Sequence, residues 1–250
     1  MKNKFIIVFT FLLISAGCIN QEQPSEKEEN KPIKENVLIN PVYPKKELNV
    51  AFLMVDGVYN SELIAPFDIF QHTIFHTEPG MKVFTIAPSM DPVRTFEGLR
   101  LLPDYSFMNN DYPEIDVLIV PSAEHSMDTD LENTDLINFV SETGKKADYV
   151  VSLCDGAFVL AKAGLVDGKE STTFPSDIAR YKETFPQLKV HEGVSFVHDD
   201  NVLTSAGGAK SYDVSLYLVH LLYGKKTAIG VGKGLVIDWK LSDYKYVIAN

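Results

Sequence analysis

Val150-Val151-Ser152-Leu153-Cys154-Asp155-Gly156-Ala157-Phe158-Val159-Leu160 changes character at its centre. Its first residues are a short apolar run of the kind that forms a buried strand. After Gly156, Phe158, Leu160, Ala161 and Leu165 follow a helical spacing that ends at Gly164. A strand that turns abruptly into a helix at a Ser or Cys is a nucleophile elbow, and a small residue must follow the turn closely. The elbow would hold the Cys154 sulfur at the carboxyl edge of a sheet and at the positive end of the next helix, a position that can lower a thiol pKa. The alternative is an inert cysteine buried in the core.

Working outward, other apolar runs alternate with helical patterns. Asn49–Val55 reads as a central parallel strand, and Asp56-Gly57 turns the chain. Ser61 is a candidate cap for a helix carrying Leu63, Ile64, Phe67, Phe70 and Ile74, with Glu62 in its first turn. Lys82–Ala87 and Val117–Val120 read as strands, and Val93–Leu102 as a hairpin turning at Glu97-Gly98. Leu131–Thr143 and Ser176–Thr184 read as helices, and Glu170–Thr173 as a short strand. Val194–Val197 and Val202–Thr204 flank an Asp199-Asp200-Asn201 turn, and Ala206-Gly207-Gly208 opens a long apolar helix, Tyr212–Leu222. The remainder, through Gly230, Gly232, Gly234 and Trp239, has no evident place. The alternation predicts an α/β sandwich of three layers: a mostly parallel sheet with helices on both faces. Ligands then sit beyond the strands' carboxyl ends, where Glu62, the Ser122–His125 loop and Cys154 should meet.

The chain has 250 residues and a net charge of −11, so nucleic acid is a poor partner. Lys2 and Lys4, the apolar run Phe5–Ile14 and Ser15-Ala16-Gly17-Cys18 read as an export signal. The Ala-Gly-Cys ending resembles a bacterial lipoprotein box, in which Cys18 becomes the lipidated first residue of the mature protein. Ser15 departs from the usual aliphatic residue, which leaves ordinary secretion or an uncleaved anchor as alternatives. Residues 1–18 are thus expected to be a signal, 19–47 a polar tether that holds the domain off a membrane, and 48–250 the folded domain. With Cys18 acylated, Cys154 is the only thiol left.

Three segments, VAFLMVDGVYNSELIAP (50–66), VSLCDGAFVLAKAGLVDGKESTTFP (151–175) and VLTSAGG (202–208), together resemble the ThiJ/PfpI family of the class I glutamine amidotransferase-like superfamily. The resemblance implies a flavodoxin-like fold and a homodimer. It implies no cofactor or metal. The family holds isonitrile hydratases, glyoxalase and deglycase-like enzymes, peptidase-like proteins, chaperones and oxidation sensors. It matches Cys154 to the family's reactive cysteine, and Glu62 to the acidic residue that hydrogen-bonds it as a protonated carboxyl. The expected partner is a small electrophile, or a ligand or oxidant in a non-enzymatic alternative. Asp155, Ser122, Ala123 and His125 are candidates for the oxyanion and substrate site.

Three departures stand out. Asp155 follows the cysteine where hydrolytic members carry His, Phe174 replaces a His in the Thr-Thr-His-Pro segment, and Ser122-Ala123 replaces Gly-Gly. A Cys–His pair is therefore not evident. Asp155 either assists substrate protonation or caps the elbow helix. His125 either supplies a base or is an exposed loop residue. His72 and His76, four apart, could share a helix face, with surface placement the alternative.

Overall fold

The computed structural model describes residues 39–249. The export signal and Cys18 lie outside the described residues. Among these, no helix is long and apolar enough to cross a membrane.

Twelve strands and six helices follow one another as β1 (Leu48–Leu53), α1 (Asn60–Gln71), β2 (Met81–Ala87), β3 (Val93–Arg94), β4 (Arg100–Leu101), β5 (Tyr105–Ser106), β6 (Val117–Val120), α2 (Thr134–Gly144), β7 (Tyr149–Leu153), α3 (Gly156–Lys162), β8 (Glu170–Ser171), α4 (Ile178–Thr184), β9 (Lys189–Val190), β10 (Phe196–Asp199), β11 (Val202–Ser205), α5 (Lys210–Tyr223), α6 (Lys225–Gly234) and β12 (Tyr246–Ile248). Eight strands form one sheet in the order β12-β10-β11-β7-β6-β1-β2-β5, while β3–β4 and β8–β9 are separate pairs. Neighbours in the large sheet are parallel, except where β10 returns antiparallel beside β11.

The two-residue side-chain period of β1 divides the core into two layers. Val50 and Phe52 point into a layer with Leu63, Ile69 and Phe70 of α1, Val214 and Leu218 of α5, and Val231 of α6. Ala51 and Leu53 point the other way, toward Leu136 and Val140 of α2, Phe158 of α3 and Tyr181 of α4. Every β1 side chain but one is buried, as a strand covered on both faces requires. The chain leaves β1 for β2 on one side and later reaches β6 on the other. That reversal opens a crevice between the carboxyl ends of β1 and β6, beside the elbow of β7.

Local detail departs from expectation in several places. Tyr59, not Ser61, occupies the N-cap of α1, without a side-chain cap. The helix ends at Gln71 and a 3-10 turn covers His72–Phe75, so Ile74 is exposed rather than core-facing. The 3-10 turn also breaks the helix face expected to pair His72 with His76. The unplaced tail is α6 followed by β12. Val42 and Tyr43, within the expected tether, donate to the carbonyls of Leu221 and Leu222 at 3.0 and 2.8 Å, so the end of that stretch is docked on the domain.

Candidate active site

Cys154 leaves β7 in the left-handed region, at φ 52°. For a residue with a Cβ this conformation is strained, and it is retained where the surroundings impose it. Cys154 N–H donates to the Ser205 carbonyl on β11 at 2.9 Å, which fixes the turn from one side. On the other side, a Cβ on Gly156 would sit 2.1 Å from the Val120 carbonyl oxygen, so the start of α3 abuts the end of β6 backbone to backbone. The small residue required after the elbow is explained by that contact.

Glu62, 3% exposed, enters from the first turn of α1. Its Oε2 accepts from Ser122 N–H at 3.0 Å and from the Ser122 hydroxyl at 2.7 Å. Its Oε1 accepts from Gly208 N–H at 3.1 Å. Gly207 explains how thiol and carboxyl share one space. At φ 72°, its missing Cβ would lie 2.3 Å from Cys154 Cβ and 2.7 Å from Glu62 Oε1. Glu62 and Cys154 therefore flank a single point, as the topology implied. The thiol's own hydrogen bond, however, goes to Asp155 Oδ2 at 3.6 Å and not to Glu62.

Asp155 does not cap α3 with its side chain. Its carboxyl turns back to the thiol and to the Thr173 hydroxyl, 2.9 Å from Oδ1, a hydroxyl that also lies 3.1 Å from the Cys154 carbonyl. Burial pushes the Asp155 carboxyl up to about 6, opposed by the Thr173 hydrogen bond and aided by the nearby Asp177 charge. Burial also drives the Cys154 thiol far up, with the Glu62 and Asp155 charges adding to it. The Ser122 hydroxyl and Asp155 N–H pull the other way. The expectation of a thiol lowered by its helix is thus corrected: desolvation beside two carboxyls outweighs the start of a seven-residue helix.

The strand-end amides expected to receive substrate are engaged elsewhere. Ser122 N–H holds Glu62, and Ala123 N–H donates to Ser126 Oγ at 2.8 Å. His125 has a half-exposed ring 3.2 Å from Asp128 and makes no hydrogen bond to Cys154, Glu62 or Asp155. It is the exposed loop histidine of the two alternatives.

Two residues escaped the sequence reading. Thr173 is buried and orients Asp155. Tyr59 is tied to the end of β6, its N–H donating to the Ser122 carbonyl at 3.1 Å, and its ring centroid lies 4.7 Å from that of Phe96 on the β3–β4 hairpin. Thr173 was legible only as part of a motif, and Tyr59 carried no signal because its role depends on the hairpin. Among the described residues no group of three His, Cys, Asp or Glu side chains is arranged to hold a metal.

Residues 48–221 match the model of the DJ-1/PfpI family. The chain is 30% identical over 184 residues to isonitrile hydratase of Pseudomonas putida, across 72% of this chain and 75% of that enzyme. It is 38% identical over 102 residues to the HTH-type transcriptional regulator CdhR of Pseudomonas aeruginosa, across 41% of this chain and 30% of the regulator. The crystal structure of Drosophila melanogaster DJ-1beta superposes with a TM-score of 0.67 at 21% identity, covering 78% of this chain and all of that one. With most of the domain inside the family match and the elbow cysteine at its centre, this chain belongs to the DJ-1/PfpI family.

Proposed function

We propose that the domain is a cysteine-dependent hydrolase or lyase acting on a small electrophile, such as an isonitrile or an α-oxoaldehyde. The observation that carries this reading is the Cys154 thiol, held in a left-handed elbow and hydrogen-bonded to the carboxyl of Asp155. A buried thiol raised in pKa is a poor nucleophile unless its proton leaves as the new bond forms. Asp155, poised near 6, is placed to take that proton. As the S–C bond forms, the electron pair moves onto the carbonyl oxygen of an α-oxoaldehyde, or onto the attacked carbon of an isonitrile. Asp155 then returns the proton to that atom, giving a hemithioacetal or a thioformimidate; water adding to the thioformimidate carbon expels the thiol, which regains its proton, and releases the N-substituted formamide. Glu62, locked by Ser122 and Gly208, walls the pocket and fixes the reacting geometry. The 30% identity to isonitrile hydratase supports this chemistry.

The test is turnover of isonitriles and α-oxoaldehydes by the wild type and Cys154→Ala. Loss of turnover in the variant is expected, by at least 10³-fold for removal of a covalent nucleophile. Equal turnover would overturn the mechanism.

A second reading, a ligand-binding or oxidation-sensing protein, is favoured by the engaged Ser122 and Ala123 amides and by the relative that is a transcriptional regulator. Peroxide that leaves Cys154 as a sulfenic or sulfinic acid, in a protein without turnover, would select it. The leader ending at Cys18 supports export and lipid anchoring to a bacterial membrane, and the family supports a homodimer. The acidic balance speaks against a nucleic-acid partner.

A further inference from the structure

The mouth of the thiol pocket has a charge character of its own. The β3–β4 hairpin is fastened over the β1–α1 loop by Gly57 N–H to the Arg94 carbonyl at 2.8 Å, Phe96 N–H to the Val58 carbonyl at 3.0 Å, and Asn60 N–H to Glu97 at 3.0 Å. These bonds place Phe96, 52% exposed, against the half-buried ring of Tyr59. Across the slot, Glu124 is clamped onto the same loop. Its N–H donates to the Gly57 carbonyl at 3.0 Å, and a Cβ on Gly57 would meet Glu124 Cβ at 2.7 Å. Glu124 is exposed and forms no ion pair among the described residues. Of the neighbouring cations, His125 is paired with Asp128 and Arg180 donates to the Met127 carbonyl at 2.8 Å; on the hairpin itself Arg94 reaches toward its Gly98 tip, and Arg100 is exposed. Behind the rim stand Glu62 and Asp155. The Tyr59 phenol registers this surrounding: it is held above its usual range first by burial, then by the negative field of the site, to which Asp155, Glu124 and Glu62 contribute.

We infer that this acid-rimmed aromatic slot selects electrophiles carrying a positive charge, with Tyr59 and Phe96 receiving the cation and Glu124 setting the preference. An ammonium group over an aromatic face gains most when partly desolvated, and a free carboxylate at the rim adds attraction that an anionic analogue would meet as repulsion. The inference rests on the reading of Cys154 as a thiol open to attack, and names the substrate class for that site.

Three methanethiosulfonate reagents of similar size test it, bearing a trimethylammonium, an uncharged alkyl or a sulfonate group. Each transfers its thioalkyl group to Sγ, releasing methanesulfinate, and the second-order rates are read by mass spectrometry. The cationic-to-anionic rate ratio is expected to exceed that of free cysteine at least tenfold at low salt, and to shrink as salt rises. Glu124→Gln is expected to cut the ratio severalfold, whereas Glu142→Gln, which removes one charge from exposed α2, leaves it in place. A ratio equal to that of free cysteine overturns the charge selection alone. Equal effects of the two substitutions overturn the assignment to the rim, since the whole-molecule charge would then suffice. No labelling by any of the three reagents overturns the open-thiol reading, and this inference with it.

Discussion

At the scale of single residues, Asp155 decides how the site works. Its carboxyl is the thiol's hydrogen-bond partner and is held near 6 by burial, above the ordinary 3.8. A carboxyl raised on folding favours the protonated form, so its presence costs stability progressively as pH climbs from about 4 to about 6, and by a constant amount above that. Asp155→Asn removes that cost. The variant is therefore expected to gain on the wild type as pH rises from 4 to 7, by at most about 2–3 kcal/mol for a shift of this size. Denaturant unfolding at several pH values reads the difference, and a gap that stays constant across that range would contradict the assignment. If Asp155 also receives the thiol proton, the rate of Cys154 alkylation rises through about pH 6 in the wild type, and that limb disappears in the variant. The cysteine was legible in the sequence because strand, Cys, Gly and helix stand in order. The role of Asp155 was not, because capping and back-bonding look alike until the rotamer is seen. Thr173 was unreadable for a similar reason: its partner sits 18 residues away, on another element.

Elements were legible where an apolar period marked them. The runs at Asn49–Val55, Lys82–Ala87, Val117–Val120 and the elbow all became neighbours in one sheet. β5 was missed because two residues, Tyr105 and Ser106, are too few for a period. α6 was missed because its three glycines resemble a loop. They have a packing reason instead: a Cβ on Gly230 would lie 2.7 Å from His76 Nδ1, and one on Gly232 3.0 Å from the Ile237 carbonyl oxygen. Gly230 thus trades helix propensity, about 1 kcal/mol against Ala, for room beside an imidazole. Gly230→Ala alone is expected to change stability little, since the propensity gain is offset by moving the ring. In a His76→Ala background the same substitution should gain about 1 kcal/mol. Unfolding free energies of the four proteins give the coupling directly. An equal gain in both backgrounds would show that the ring never opposed the methyl group.

For the whole molecule, the question is what the chain beyond residue 221 contributes, because the family match ends there. After α6, the chain crosses to the far edge of the sheet and adds β12 parallel to β10, pairing Phe196 with Tyr246 and His198 with Ile248. Tyr246 stacks on Phe196 at 5.2 Å between ring centroids, and Ser195 N–H donates to the Lys245 carbonyl at 2.6 Å. The strand is only three residues long. Its apolar contact with Phe196 offsets part of the cost of ordering it. Its second effect is to cover an edge: without it, β10 would present unpaired backbone groups beside a bared Phe196. A chain ending at Lys240 keeps Trp239, which packs edge-on against His220 in the core, and loses only the last turn and β12. Such a chain is expected to unfold at lower denaturant, by about 1–3 kcal/mol. It should also self-associate with rising concentration in light scattering, because a free edge strand recruits another. Sγ alkylation should stay close to that of the full chain, since β10 separates β12 from the strand that fixes the elbow. Unchanged stability and a monodisperse sample at high concentration would show that β12 neither stabilises nor protects the sheet, and that the β10 edge is tolerated as it stands.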